Sequence, residues 1–157
     1  MWDGLFGAAN LLALIMWAVL ILAPRRPVIE TLVMYGGAGL LCAAYAVLIS
    51  LVVTGLLDPA PLPEAGGGGF MSIPQVRALF MSDGGVTIGW MHYLAFDLFV
   101  GLWIAKDADA KGFSRLVQAP ILLLTFMAGP FGLFLWLIIR ERRARKAHGA
   151  IRSDWRK

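Results

Sequence analysis

Cysteine, histidine and charge are all scarce in this chain, and each shortage closes off a class of function. Cys42 is the only cysteine among 157 residues, so no internal disulfide and no paired-thiol motif can form. His92 and His148 are the only histidines, which excludes H-E-x-x-H zinc sites and the histidine clusters of membrane iron oxygenases. The run Gly66 to Gly69 is not followed by Gly-Lys-Ser/Thr, so it reads as a linker and not as a phosphate-cradling Walker A loop. No metal site and no cofactor is expected. Charged residues make up 15% of the chain, well below the ~25% of an average soluble domain.

Apolar residues fill the gap: they are 59% of the chain, with a mean hydropathy of +0.74. They come in long blocks, and a span needs roughly 20 such residues to cross about 30 Å of hydrocarbon. Four blocks qualify, at about 4–23, 31–57, 87–105 and 117–139. The first, Gly4 to Ala23, is uncharged and preceded only by Asp3. Lacking the basic leading segment of a cleaved signal peptide, it is read as a retained span. The stretch 58–86 holds Pro59, Pro61, Pro63 and four consecutive glycines, which disfavour helix, and is expected to be a flexible loop. In the fourth block Pro120 falls in the first turn and Gly129-Pro130 near the middle, where a kink or break belongs. The expected fold is all-α: a four-transmembrane-helix bundle forming one domain over 1–140, then a basic tail, 141–157.

Lys and Arg in the short connections orient such a bundle. Four full crossings place Arg25, Arg26, Lys106, Lys111 and Arg115 on one side. The other side receives Asp3, a loop with Arg77 against Asp58, Glu64 and Asp83, and the tail. That tail carries Arg140, Arg142, Arg143, Arg145, Lys146, Arg152, Arg156 and Lys157 against Glu141 and Asp154. The two signals conflict. If the tail decides, both termini are cytoplasmic, and this is the arrangement expected, with 141–157 a cytoplasmic tail; if Gly129-Pro130 turns the last segment back, both signals agree. Clustered basic residues also suit nucleic acid, but their place directly after an apolar block favours a topology anchor touching anionic lipid, with Trp155 at the interface. No nucleic-acid partner is expected. Gly36, Gly39 and Ala43 would admit close helix contact, including a homo-oligomer face.

Chemistry has to come from inside the bilayer, where an ionisable side chain costs roughly 2.5 to 3.5 kcal/mol on insertion scales. Asp97 is the only acidic residue in any block, and ten residues after Thr87 it lies ~15 Å deep, near the midplane. No Lys or Arg in a block can pair with it, so it must keep its proton or find hydrogen-bond donors. Trp90, Tyr93 and Gly101 share its helix face, whereas His92 lies about 140° away on a face with Phe96, Phe99 and Trp103. Asn10, Cys42, Tyr45, Ser50 and Thr125 bring further polar groups to intermediate depth. A cluster of Asp97, Tyr45 and Asn10 would satisfy the carboxyl group and suit a long hydrophobic ligand with one polar end. Against this stands the simpler role of polar side chains as interhelical glue, which suits Asn10 and Thr125. Trp2, Trp17, Tyr35 and Trp136 are read as interfacial anchors or packing.

The run from Gly89 to Asp107, with Trp90, His92, Tyr93, Phe96 and Asp97, resembles the signature of the abscisic-acid-deficient-four-like family, whose best-known member is plant neoxanthin synthase. Leu5-Phe6 with Asn10, Trp17, Ala23-Pro24, Ala44-Tyr45, Phe80, Pro120, Phe126, Gly129-Pro130 and Gly132-Leu133 extend the likeness over nearly the whole chain to Arg140. The resemblance implies a small membrane protein connected with carotenoids. The plant reaction opens an epoxide to an allene by isomerisation, without a redox cofactor. It needs an acid at the epoxide oxygen and a base at a vinylic proton, roles that would fall to Asp97 and His92, with Trp90, Tyr93, Tyr45, Asn10 and Phe96 contacting the ligand. The chain departs from the plant pattern in lacking a transit peptide, and its Ala-, Gly- and Arg-rich composition suggests a bacterial inner membrane. Two functions stay open: an isomerase of a carotenoid epoxide or related isoprenoid, or a non-catalytic protein that binds pigment or lipid or supports another membrane complex.

Overall fold

The computed structural model describes residues 1–60 and 67–154, with side chains described through Glu141. Pro61, Pro63, Glu64 and Gly66 of the glycine- and proline-rich loop lie outside the described residues, as do the tail's side chains, Trp155 included. Among the described residues there are six helices: α1 (Trp2–Leu22), α2 (Pro27–Val53), α3 (Ile73–Leu79), α4 (Asp83–Ala110), α5 (Arg115–Met127) and α6 (Gly129–Asp154). No strand occurs among the described residues. Three helices, α1, α2 and α4, are long and apolar enough to cross a membrane.

Local chemistry explains the ends. Ala23 is extended (φ −71°, ψ 152°), as the residue before Pro24 must be, and α1 stops there. Pro27 then opens α2 at the position where a missing N–H costs nothing. Within α2 the turns from Leu32 to Gly39 widen into a π-helix. The long α4 closes on Gly112, whose φ of +66° suits glycine, and Phe113 N–H donates back to the Ala108 carbonyl at 2.9 Å.

The stretch 58–86 differs from expectation, and the fourth block breaks next to Gly129-Pro130 as expected. Part of 58–86 is helical, because Ser72 caps α3 by accepting from the Gln75 amide and Pro74 sits harmlessly in its first turn. The long helix α4 also begins early, at Asp83, where the Gly85 amide donates to Ser82 Oγ at 2.9 Å. The fourth block is not one continuous helix. It breaks at Ala128 (φ −154°, ψ 74°), leaving α5 with 13 residues, about 20 Å and short of the hydrocarbon thickness. A Cβ on Gly132 would collide with the backbone of Thr125, so only glycine lets α6 fold back so closely on α5.

Contacts group the chain into two units, Met1–Leu98 and Phe99–Lys157. In the first, α1 and α4 run in one direction and α2 in the other. At one end Trp2 Nε1 donates to the Asp58 carbonyl at 3.3 Å and the Gly84 amide to the Pro59 carbonyl at 2.9 Å. At the other end the three helices meet at Gly37, where an added Cβ would lie 2.8 Å from both Met16 Cγ and Leu98 Cδ2. Between these points Ala9, Ala13, Leu41, Leu48, Met91, Leu94 and Ala95 form a dry seam of small and branched side chains. In the second unit, α5 and α6 form an antiparallel hairpin beside the end of α4.

Candidate functional site

The middle of α4 carries two aromatic ladders on different faces. On the first, Trp90, Tyr93 and Asp97 are spaced three and four residues apart and so stack above one another. Trp90 lies between Phe6 of α1 (centroids 6.0 Å, interplanar angle 27°) and Tyr93 (5.0 Å, 18°). Its indole N–H donates to Asn10 Oδ1 at 2.9 Å, and Asn10 Nδ2 donates to the Phe6 carbonyl at 2.8 Å. The ladder ends at Asp97, which is only 8% exposed. The Tyr93 side chain is a hydrogen-bond partner of Asp97, while Oδ2 of the carboxyl group is buried with no partner.

On the second face His92 is exposed and lies between Tyr45 of α2 (5.5 Å) and Phe96 (4.7 Å, 28°). The expected cluster of Asp97, Tyr45 and Asn10 does not form. Asn10 spends its amide on Trp90 and Phe6, and Tyr45 packs on His92, because α1 and α2 approach α4 on different faces. Asp97 and His92 are likewise not brought into one cavity: the first is buried and the second exposed. The hydroxyls of Ser50 and Thr125 bond the carbonyls of Ala46 and Ile121 in their own helices, at 2.7 and 2.8 Å.

A second constellation, which the sequence reading passed over, surrounds Asp107. Oδ1 accepts from Lys111 Nζ at 2.7 Å and from an Arg140 terminal nitrogen at 3.2 Å; Oδ2 accepts from Arg140 Nε at 2.8 Å and Trp136 Nε1 at 3.1 Å. Arg140 also covers the Trp103 ring at 5.5 Å, and Phe113 meets Trp136 edge-on at 5.0 Å. Trp136 is fully buried, so it is a packed hydrogen-bond donor and not an interfacial anchor. Nearby, buried Gln118 donates to Asp109 Oδ1 at 2.6 Å and to the Phe113 carbonyl at 2.9 Å. The available signal was spacing: Lys111 follows Asp107 by four residues, and Arg140 follows Trp136 by four.

The Asp107 carboxylate has every lone pair directed at a donor, so it is a structural hub. Asp97 differs in that one of its oxygens is buried without a hydrogen-bond partner. Among the described residues no three His, Cys, Asp or Glu side chains lie together to hold a metal ion.

A chain that is all-helical among its described residues, with three helices long and apolar enough to cross a bilayer and a buried carboxyl group on the third, is a membrane protein. It belongs to the ABA DEFICIENT 4-like family, whose model matches residues 4–136 and so covers both ladders, Asp107 and Trp136. No curated protein and no solved structure matches the chain.

Proposed function

We propose that this chain binds a carotenoid or similar long isoprenoid within the bilayer, with the ligand's polar end at Asp97, and isomerises it by acid/base chemistry. The observation that carries this reading is the open Oδ2 of a buried carboxyl group at the end of the Phe6–Trp90–Tyr93 ladder. Stacked rings complement a flat polyene, and a carboxyl oxygen without a protein partner is free for an epoxide or hydroxyl oxygen. As a neutral acid Asp97 would protonate an epoxide oxygen while the C–O bond breaks, and the carboxylate this leaves would take up the vinylic proton, which restores the acid and gives an isomer without net oxidation. Membership of the ABA DEFICIENT 4-like family supports a carotenoid as the substrate class.

A second reading, binding without chemistry, is favoured by the separation of His92 from Asp97, which leaves the acid without a facing base. Expression in a carotenoid-producing host distinguishes them. A changed pigment profile that disappears in Asp97→Asn supports chemistry at this site, and one that persists in both Asp97→Asn and His92→Ala removes it. Unchanged pigments that co-purify with the wild-type chain support binding alone.

The setting we propose is a bacterial inner membrane, crossed by α1, α2 and α4, with the α5–α6 hairpin entering and leaving on one side. Three crossings plus a hairpin would put thirteen of the fourteen Lys and Arg on that side, in both short connections and the tail, and this distribution supports its being the cytoplasmic side.

A further inference from the structure

The stretch from Phe70 to Phe80 lies between two spans, yet its large side chains are bare. Phe70 is 83% exposed, Met71 92% and Ile73 76%. On α3, Ile73 and Val76 lie one turn apart, and Phe80 follows directly after the helix ends. Phe70, Met71, Ile73 and Val76, with Ser72 and Arg77, line an open cavity of about 510 Å³.

Depth is set by Phe80. Its ring fills the place where a side chain at Gly89 would stand, and Gly89 lies two residues inside the apolar block that starts at Thr87. The end of α3 is therefore folded back along α4 to the level where hydrocarbon begins. Trp2, whose indole N–H bonds the Asp58 carbonyl and whose ring abuts Gly84, marks the same end of the unit. Arg77 stands in the lining of the same cavity and is the one basic residue on its side of the proposed topology. A cation on that side runs against the distribution of all the others, and a phosphate at the rim of an apolar groove accounts for it.

We infer that Phe70–Phe80 is an interfacial membrane anchor whose groove seats a phospholipid, with Phe70, Met71, Ile73 and Val76 against the first part of an acyl chain and Arg77 at the phosphate. A water-filled groove would leave this apolar surface unpaid in hydration, and the partner nearest at that depth is lipid.

The test uses the full chain with Cys42→Ser, labelled with bimane at Met71→Cys or Ile73→Cys, in nanodiscs of phosphatidylcholine and phosphatidylglycerol. Leu14→Cys, exposed on the face of α1, is the lipid-facing reference. Both groove positions are expected to lose emission to a nitroxide near the headgroup end of the acyl chain, by at least about half the loss at Leu14→Cys, and to resist aqueous iodide. Arg77→Glu should weaken the nitroxide effect at Met71→Cys in discs with phosphatidylglycerol. Iodide quenching without nitroxide quenching overturns the anchor, and a disulfide between two copies at Met71→Cys assigns the surface to a protein contact instead. Equal nitroxide quenching with and without Arg77 overturns the phosphate contact.

Discussion

Arg140 Nε lies 2.8 Å from Asp107 Oδ2, and this contact pins the returning arm of the α5–α6 hairpin to the end of α4. The other arm is tied at the same level, where Gln118 bridges Asp109 and the Phe113 carbonyl. With both arms tied there, the last apolar block turns back on itself as a hairpin. A polar network at that level is satisfied on every side, whereas a single partner left behind in it would be costly.

Arg140→Ala is expected to destabilise the protein by about 2 kcal/mol, because it strips two hydrogen bonds from a mostly buried carboxylate whose side chain is 13% exposed. Arg140→Lys keeps the charge but not the two-pronged geometry, so its loss is intermediate. Thermal unfolding in detergent checks both. An Arg140→Ala midpoint equal to wild type would show that the pair contributes nothing.

Reporter fusions check the hairpin. A fluorescent protein that matures only in the cytoplasm should be bright after residue 157 and dark before residue 1, and an export-dependent phosphatase should give the opposite pattern. The same result at both termini would require a fourth complete crossing.

Gly37→Ala is expected to cost roughly 1 to 3 kcal/mol, since its new methyl meets Met16 and Leu98 at 2.8 Å in a three-helix contact. Gly7→Ala has nothing within 4 Å of its added carbon and should be neutral or slightly stabilising. Paired melting curves and gel-filtration profiles in detergent make the comparison. A tolerant Gly37 would mean that the helices separate there without loss.

Much of this molecule is legible one segment at a time. Hydrophobic length alone marks α1, α2 and α4, because crossing a bilayer demands a number of apolar residues and no particular partner. Helical geometry alone puts Trp90 and Tyr93 on the face of Asp97 and sends His92 elsewhere. The break in the fourth block is written in Gly129-Pro130, and the break itself falls at the adjoining Ala128. The helix at Ile73–Leu79 was masked by its own surroundings, where prolines and glycines that stop a helix hid a serine and a proline that start one.

What the sequence by itself determined is therefore the number of apolar segments, the faces of each helix and the residues able to carry charge into the bilayer. Only the tertiary structure decided which faces meet. Whether Asn10 turns to Asp97 or to Trp90, whether Tyr45 reaches the acid or the imidazole, and whether Arg140 returns to Asp107 all depend on the azimuth at which one helix approaches another. That azimuth is set by small, distributed contacts such as Gly37 against Met16 and Leu98 and Gly132 against Thr125. Each is a matter of a few ångströms between residues far apart in the chain, and no periodicity within a single helix encodes it.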